Sequence, residues 1–177
     1  MRKINIIKNI LLLLALMFSF DSFGQSPNSV NSTFFDNNKE SFGKFYITNS
    51  FENQHDTTET ILEAGAYIVF YVDKDITGLF MANVWPNNES QSFGKTYNHK
   101  VFNKNDPLSG AVVTNTLFMW DYSNTYNSEK GSATVILEQN NLPKGSSFKM
   151  TIITSKLNML TYKGSIILEN GENPTKG

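Results

Sequence analysis

The chain has no cysteine, a single arginine and only two histidines among its 177 residues. The first absence excludes disulfides, thiol catalysis, Cys-based metal sites and a lipid-modified N-terminal Cys. The only arginine is Arg2. Beyond residue 24 the chain carries twelve Lys against fifteen acids, with no basic stripe and no guanidinium for bidentate phosphate contacts. That argues against nucleic acid as a partner, and against a polybasic membrane-surface role. His55 and His99 stand at no metal-ligand spacing such as His-x-His or His-Glu-x-x-His. The expectation is therefore no metal and no cofactor. Long hydrophobic runs are also scarce. The one long run is Ile10–Phe20, broken only by Ser19, and no stretch beyond it shows a sustained 3.6-residue apolar stripe, which argues against a helical bundle.

That run has a clear reading. Arg2, Lys3 and Lys8 form a basic n-region, Ile10–Phe20 an h-region, and Asp21-Ser22-Phe23-Gly24 places small residues at the −3 and −1 positions of a cleavage before Gln25. This is the pattern of a secretory signal peptide over residues 1–24. The h-region falls short of the ~20 residues that span a bilayer. The expected location is periplasmic or secreted. The 153 residues that remain suffice for one packed core without disulfides.

The centre of the folded part is Ala66–Trp85. Two β-branched and aromatic runs, Tyr67–Val72 and Leu79–Trp85, flank Asp73-Lys74-Asp75-Ile76-Thr77-Gly78, which has the turn chemistry of a tight antiparallel hairpin. Neither run alternates cleanly. Tyr67, Val69 and Tyr71 face one way, Ile68, Phe70 and Val72 the other, so both faces want cover, as in a central strand.

Around this hairpin the chain reads as strands throughout. Residues 25–40 form a flexible polar leader anchored only by Val30, Phe34 and Phe35. Lys44–Asn49 is a strand, Ser50–Thr58 a polar loop, and Glu59–Glu63 a short strand or turn broken at Gly65. Pro86–Ser90 is a loop. Ser92–Phe102 is one strand kinked at Gly94, or two short ones. Ala111–Tyr122 alternates well, with Thr114, Thr116, Phe118, Trp120 and Tyr122 on one face. Ser132–Glu138, Phe148–Thr154 and Asn158–Leu168 follow. They turn inward Ala133, Val135 and Leu137, then Phe148, Met150 and Ile152, and put Leu160, Tyr162, Gly164, Ile166 and Leu168 on one face. Residues 169–177 form a frayed tail.

About eight to ten antiparallel strands joined by tight turns make an all-β single domain over residues 41–168. An up-and-down barrel is favoured over a two-sheet β-sandwich by the hairpin-like spacing and the doubly apolar central strands. In architecture alone such a meander is similar to the calycin barrels of the lipocalin type; the short motif of that family's N-terminal strand is absent. An internal echo, SFGKxY, occurs at Ser41–Tyr46 and Ser92–Tyr97, followed each time by a polar loop and Gly-Ala (Gly65-Ala66, Gly110-Ala111). It covers too little of each half to establish a repeat.

Candidate chemistry is sparse. Asp73-Lys74-Asp75 opens like a calcium loop, but Gly78 is misplaced and no Glu stands at the twelfth position, so a turn is the better reading. Carboxylates for glycoside chemistry are Glu59, Glu63, Asp121 and Glu138. Asp121, between Trp120 and Tyr122, is the weak catalytic candidate, because burial would raise its pKa. No Gly-x-Ser-x-Gly elbow exists. The strongest feature is aromatic content, 13% of the chain, with Trp85, Trp120 and Tyr122 at strand ends and Tyr97 near the other candidate rim, where such residues would line the mouth of a barrel. The leading expectation is thus an exported, non-enzymatic β-domain binding a small apolar or glycan ligand through these four residues. The alternatives are an interaction module of an envelope assembly with a protein partner, and a carboxylate-based hydrolase or isomerase.

Overall fold

The computed structural model describes residues 39–105, 112–142 and 145–168. The expected signal segment, leader and C-terminal tail lie outside them, apart from Lys39 and Glu40, which already belong to the first strand. In chain order the elements are β1 (Lys39–Glu52), β2 (His55–Asp56), α1 (Thr58–Glu63), β3 (Tyr67–Asp73), β4 (Leu79–Trp85), a single 3-10 turn (Pro86–Asn88), β5 (Ser90–Asn105), β6 (Val112–Asn124), β7 (Lys130–Leu142), β8 (Gly145–Thr154) and β9 (Met159–Leu168). Strands β1 and β3–β9 form one antiparallel sheet in sequence order. Strand β9 then pairs back onto β1, from Gly43↔Leu168 to Glu52↔Leu160. That last ladder closes an eight-stranded up-and-down barrel, with β2 as a short extra strand. Closure leaves the barrel strands without an exposed edge.

Alternation decides the wall. Phe118 and Trp120 of β6, Ala133, Val135 and Leu137 of β7, Phe148, Met150 and Ile152 of β8, and Tyr162 and Ile166 of β9 all join one buried cluster with Phe45, Ile68, Phe70 and Met81. Contacts run across the lumen as well as along it. Phe70 meets Phe118 edge-on at 6.4 Å, and Asn83 Nδ2 of β4 donates to Tyr162 Oη of β9 at 3.3 Å. The middle of the barrel is therefore filled by side chains. Burial pushes the Tyr162 hydroxyl up to about 12.

The central hairpin is buried on both faces, as its sequence requires. Its outward residues Tyr67, Val69, Tyr71, Phe80, Ala82 and Val84 form a second cluster with Phe93. Tyr71 stacks on Phe80 at 5.4 Å, and Lys44 Nζ sits over the Tyr67 ring at 5.2 Å. The two SFGK segments flank this hairpin from β1 and β5. Gly43, Phe70, Met81 and Gly94 lie in one row across four strands. The second Gly-Ala pair, Gly110-Ala111, lies outside the described residues.

Three elements differ from expectation. Residues expected as a short strand or turn, Glu59–Glu63, belong to the helix α1. Six residues with one inward side chain, Ile61, are too few to show a helical period. Its end is legible only afterwards. Gly65, at φ 65°, gives its N–H to Leu62 O and Ala66 gives its own to Ile61 O, the bonds of a Schellman cap. Residues 50–58 are also not a simple loop. β1 continues to Glu52 and turns back through Asn53 and Gln54, both at positive φ, into β2. In β5 the irregularity falls between Tyr97 and Lys100, not at Gly94.

Candidate functional site: the two ends of the barrel

Helix α1 sits at the end where β1, β4, β6 and β8 finish. Its Ile61, with the following Ala64, enters the core cluster, and Trp85, Tyr122 and Leu160 pack against that cluster. The helix is tied down by its neighbours. Asn87 of the 3-10 turn gives its backbone N–H to Ala64 O at 3.2 Å and its Nδ2 to Glu63 O at 2.7 Å. These bonds satisfy carbonyls that a helix C-terminus leaves open. Pro86-Asn87-Asn88 is thus a clamp on α1.

Three of the four expected ligand-binding aromatics lie toward this end, and the two indole N–H groups are engaged within the protein. Trp120 is buried and its Nε1 donates to Met81 O at 3.2 Å. Trp85 Nε1 donates to Asn83 Oδ1 at 3.1 Å. The Tyr122 ring lies 4.9 Å from that of Trp120 and over Gly131, where a Cβ would come within 2.6 Å of Tyr122 Oη. A ring laid over a cross-strand glycine is packing that stabilises the sheet. Tyr97 is elsewhere. It stands on the outer wall, where its hydroxyl donates to Asp121 Oδ1 at 3.0 Å; that bond raises the Tyr97 pKa.

The carboxylates lie outside the lumen. Asp121 is exposed beside Tyr97. Glu138 pairs with Lys149 at 2.6 Å on the outer wall, and Glu59 and Glu63 are exposed on α1. Asp73 completes its own turn, its Oδ1 accepting from the N–H groups of Asp75 and Ile76.

The opposite end holds the residue that sequence reading passed over. Strict alternation puts His99 on the same face as Tyr97, hence outside. The bulge between Tyr97 and Lys100, with Asn98 at φ 55°, shifts the count by one and turns His99 inward. Re-aiming one side chain is a characteristic effect of a β-bulge. The imidazole stacks on Phe118 at 5.5 Å, and its Nε2 lies 3.0 Å from Thr96 Oγ1. Phe118 in turn meets Phe70; of the core cluster Phe70, Leu137, Phe148 and Ile166 keep 5–8% exposure, while Phe45, Ile68, Met81 and Met150 keep none. Asn in the strand at position 98 was the one available signal, since Asn tolerates left-handed backbone better than other residues with side chains.

Burial holds the His99 pKa below its ordinary 6.5. Protonation then costs more in the fold than in the unfolded chain. The stability tied to neutral His99 is fully present above about pH 6.5 and is lost as the pH falls toward the lowered folded value. Wild-type melting temperature should therefore begin to fall just below that pH, and the fall should be shallower in His99→Phe. Parallel profiles for the two proteins would refute this.

Comparison of the chain with protein-family models, curated proteins and solved structures finds no match. Among the described residues no helix is long and apolar enough to cross a membrane.

Proposed function

We propose that this chain is an exported, non-enzymatic binding protein that takes a small apolar ligand into the barrel end remote from α1. One observation carries the reading: a histidine is turned by a bulge into a phenylalanine-walled lumen. A mostly apolar concavity with a few placed polar groups is the usual composition of a small-molecule site. The phenylalanine wall favours an apolar ligand over a glycan, since Trp120 is buried and Trp85 and Tyr122 pack at the other end. Export is supported by the n-region, h-region and small-residue cleavage pattern of residues 1–24.

The interaction-module reading has its own support. Val101 and Val112, on one face of the paired ends of β5 and β6, are 39% and 44% exposed, and Phe102 on the other face is 50% exposed; exposed apolar side chains of this kind mark docking sites.

Native mass spectrometry of the protein purified gently from its own host separates the two. The binding reading expects a chain beginning at Gln25 that carries a reproducible extra mass, lost on denaturation. A bare monomer would defeat it, and a bare dimer would favour the β5–β6 surface as an interface. A chain retaining residues 1–24 would defeat export by cleavage.

A further inference from the structure

The outer face of the central hairpin is covered, yet no element of the barrel lies over it. Residues directly opposite in an antiparallel ladder share a face. Lys44, Val69, Ala82 and Phe93 therefore form one outward row across β1, β3, β4 and β5, and Ser41, Tyr71 and Phe80 form the next. Val69 and Ala82 are 0% exposed and Tyr71 is 1% exposed, although all three point away from the lumen. A tyrosine on a convex wall is not sealed by its neighbours in the sheet; a further layer has to lie over it. Among the described residues none supplies that layer. Strands β1 and β3–β9 are all staves of the barrel, while β2, α1 and the 3-10 turn lie at one end of it. Ser41 gives the same indication. Its Oγ is buried and has no hydrogen-bond partner among the described residues, and it shares the face of its cross-strand neighbour Tyr71. A buried hydroxyl calls for a partner, which the covering layer would bring.

The rest of the chain offers few occupants. Residues 169–177 contain no Val, Leu, Ile, Met or aromatic residue. Residues 106–111 follow Asn105, well beyond Thr96, the last residue of β5 that pairs with β4, and residues 143–144 are too few. Residues 1–24 are expected to leave on export. Residues 25–38 fit. They lead into β1 at Lys39, which pairs with Asp73 at the end of β3, beside the covered face. Asp36-Asn37-Asn38 has the composition of a turn. The segment's large apolar side chains are Val30, Phe34 and Phe35, and an extended chain rises per residue nearly as a strand does, so Gln25–Phe35 is long enough to cross the seven-residue strands of the hairpin. We propose that residues 25–38 reverse at Asp36–Asn38 and strap the outer face of the hairpin, with Phe34 and Phe35 on Tyr71 and Phe80, Val30 toward Ala82, and a polar group of the strap on Ser41 Oγ. The strap keeps covered an apolar patch of the kind through which chains associate, and it does so whatever the barrel binds.

The test exploits the absence of cysteine. In the chain Gln25–Gly177, Ser32→Cys carries a nitroxide at a polar position of the strap. The label should broaden the methyl resonances of Val69, Ala82 and Val84 severalfold more than that of Ile136, which stands outward on β7 across the barrel. Mixing labelled chain with unlabelled, isotope-enriched chain should broaden none of them. Equal broadening of Ala82 and Ile136, or no broadening of either, would overturn the strap. Broadening in the mixture would overturn it too, by giving the face to a second copy. Adding Phe34→Ser and Phe35→Ser to the labelled chain should lower the broadening at Ala82 to the level at Ile136 and produce concentration-dependent dimers in sedimentation. Broadening at Ala82 that survives this change would overturn the two phenylalanines as anchors. The labelled chain with both phenylalanines intact decides the matter even if the double change prevents folding.

Discussion

Replacing Gly164 by alanine should unfold the barrel at its closing seam. An ideal Cβ at Gly164 falls 1.9 Å from Tyr46 O and 2.9 Å from Tyr46 C. Both are backbone atoms of β1, directly across the β9–β1 ladder. Backbone cannot rotate away as a side chain can, so one strand must move, and it is the strand pair that closes the sheet. β1 has already absorbed a register shift there, between Ile47 and Asn49. The cost should reach or exceed the upper end of the ~1–3 kcal/mol typical of overpacking, a large share of the ~5–15 kcal/mol that holds a domain together. Gly94→Ala should behave alike, because a Cβ there meets Asp121 O at 1.7 Å. Gly43→Ala is the control. Its Cβ first meets the flexible end of Leu168 at 3.4 Å, and the change should cost under about 1 kcal/mol. Urea midpoints would show it: Gly164→Ala and Gly94→Ala unfolding at the same concentration as Gly43→Ala would disprove the seam argument. The comparison also dissects the SFGK echo. The same four letters place a replaceable glycine in β1 and an irreplaceable one in β5.

Trp120→Ala should cost about 3–5 kcal/mol, the range for deleting a large aromatic from a packed core. The indole is 3% exposed. It reaches past β5 to hydrogen-bond Met81 O on β4 and supports Tyr122 on one face. Trp120→Phe should lose less, about 1–2 kcal/mol, since a ring remains but Met81 O loses the indole donor. The experiment decides between packing and ligand contact for this end of the barrel. A core residue shifts the unfolding midpoint in protein stripped of any bound mass. A mouth residue would leave that midpoint nearly unchanged and lower ligand occupancy instead, and that result would return the strand-end aromatics to the candidate site.

Of that site, the sequence held the parts but not the arrangement. Trp85, Trp120 and Tyr122 do gather at one end, as their strand-end positions imply. The two indole N–H groups, however, find Asn83 and Met81, partners that are distant or face-dependent and are invisible to a residue count. Tyr97, expected near the other rim, stands on the outer wall with Asp121. His99 stands at no metal-ligand spacing, and period-two counting carries it outward. One bulge reverses that assignment.

The sequence by itself determined the strand content, the inward faces of β6 to β9, the doubly buried central hairpin and most turns. These follow from alternation and turn chemistry, which act over a few residues and need no knowledge of what lies opposite. Only the tertiary structure decided the closure of β9 onto β1, the use of residues 58–63 as a helical cap, the necessity of Gly94 and Gly164, and the inward turn of His99. Each depends on which atoms meet across the lumen or between neighbouring strands, and a one-residue change of register there outweighs any local preference.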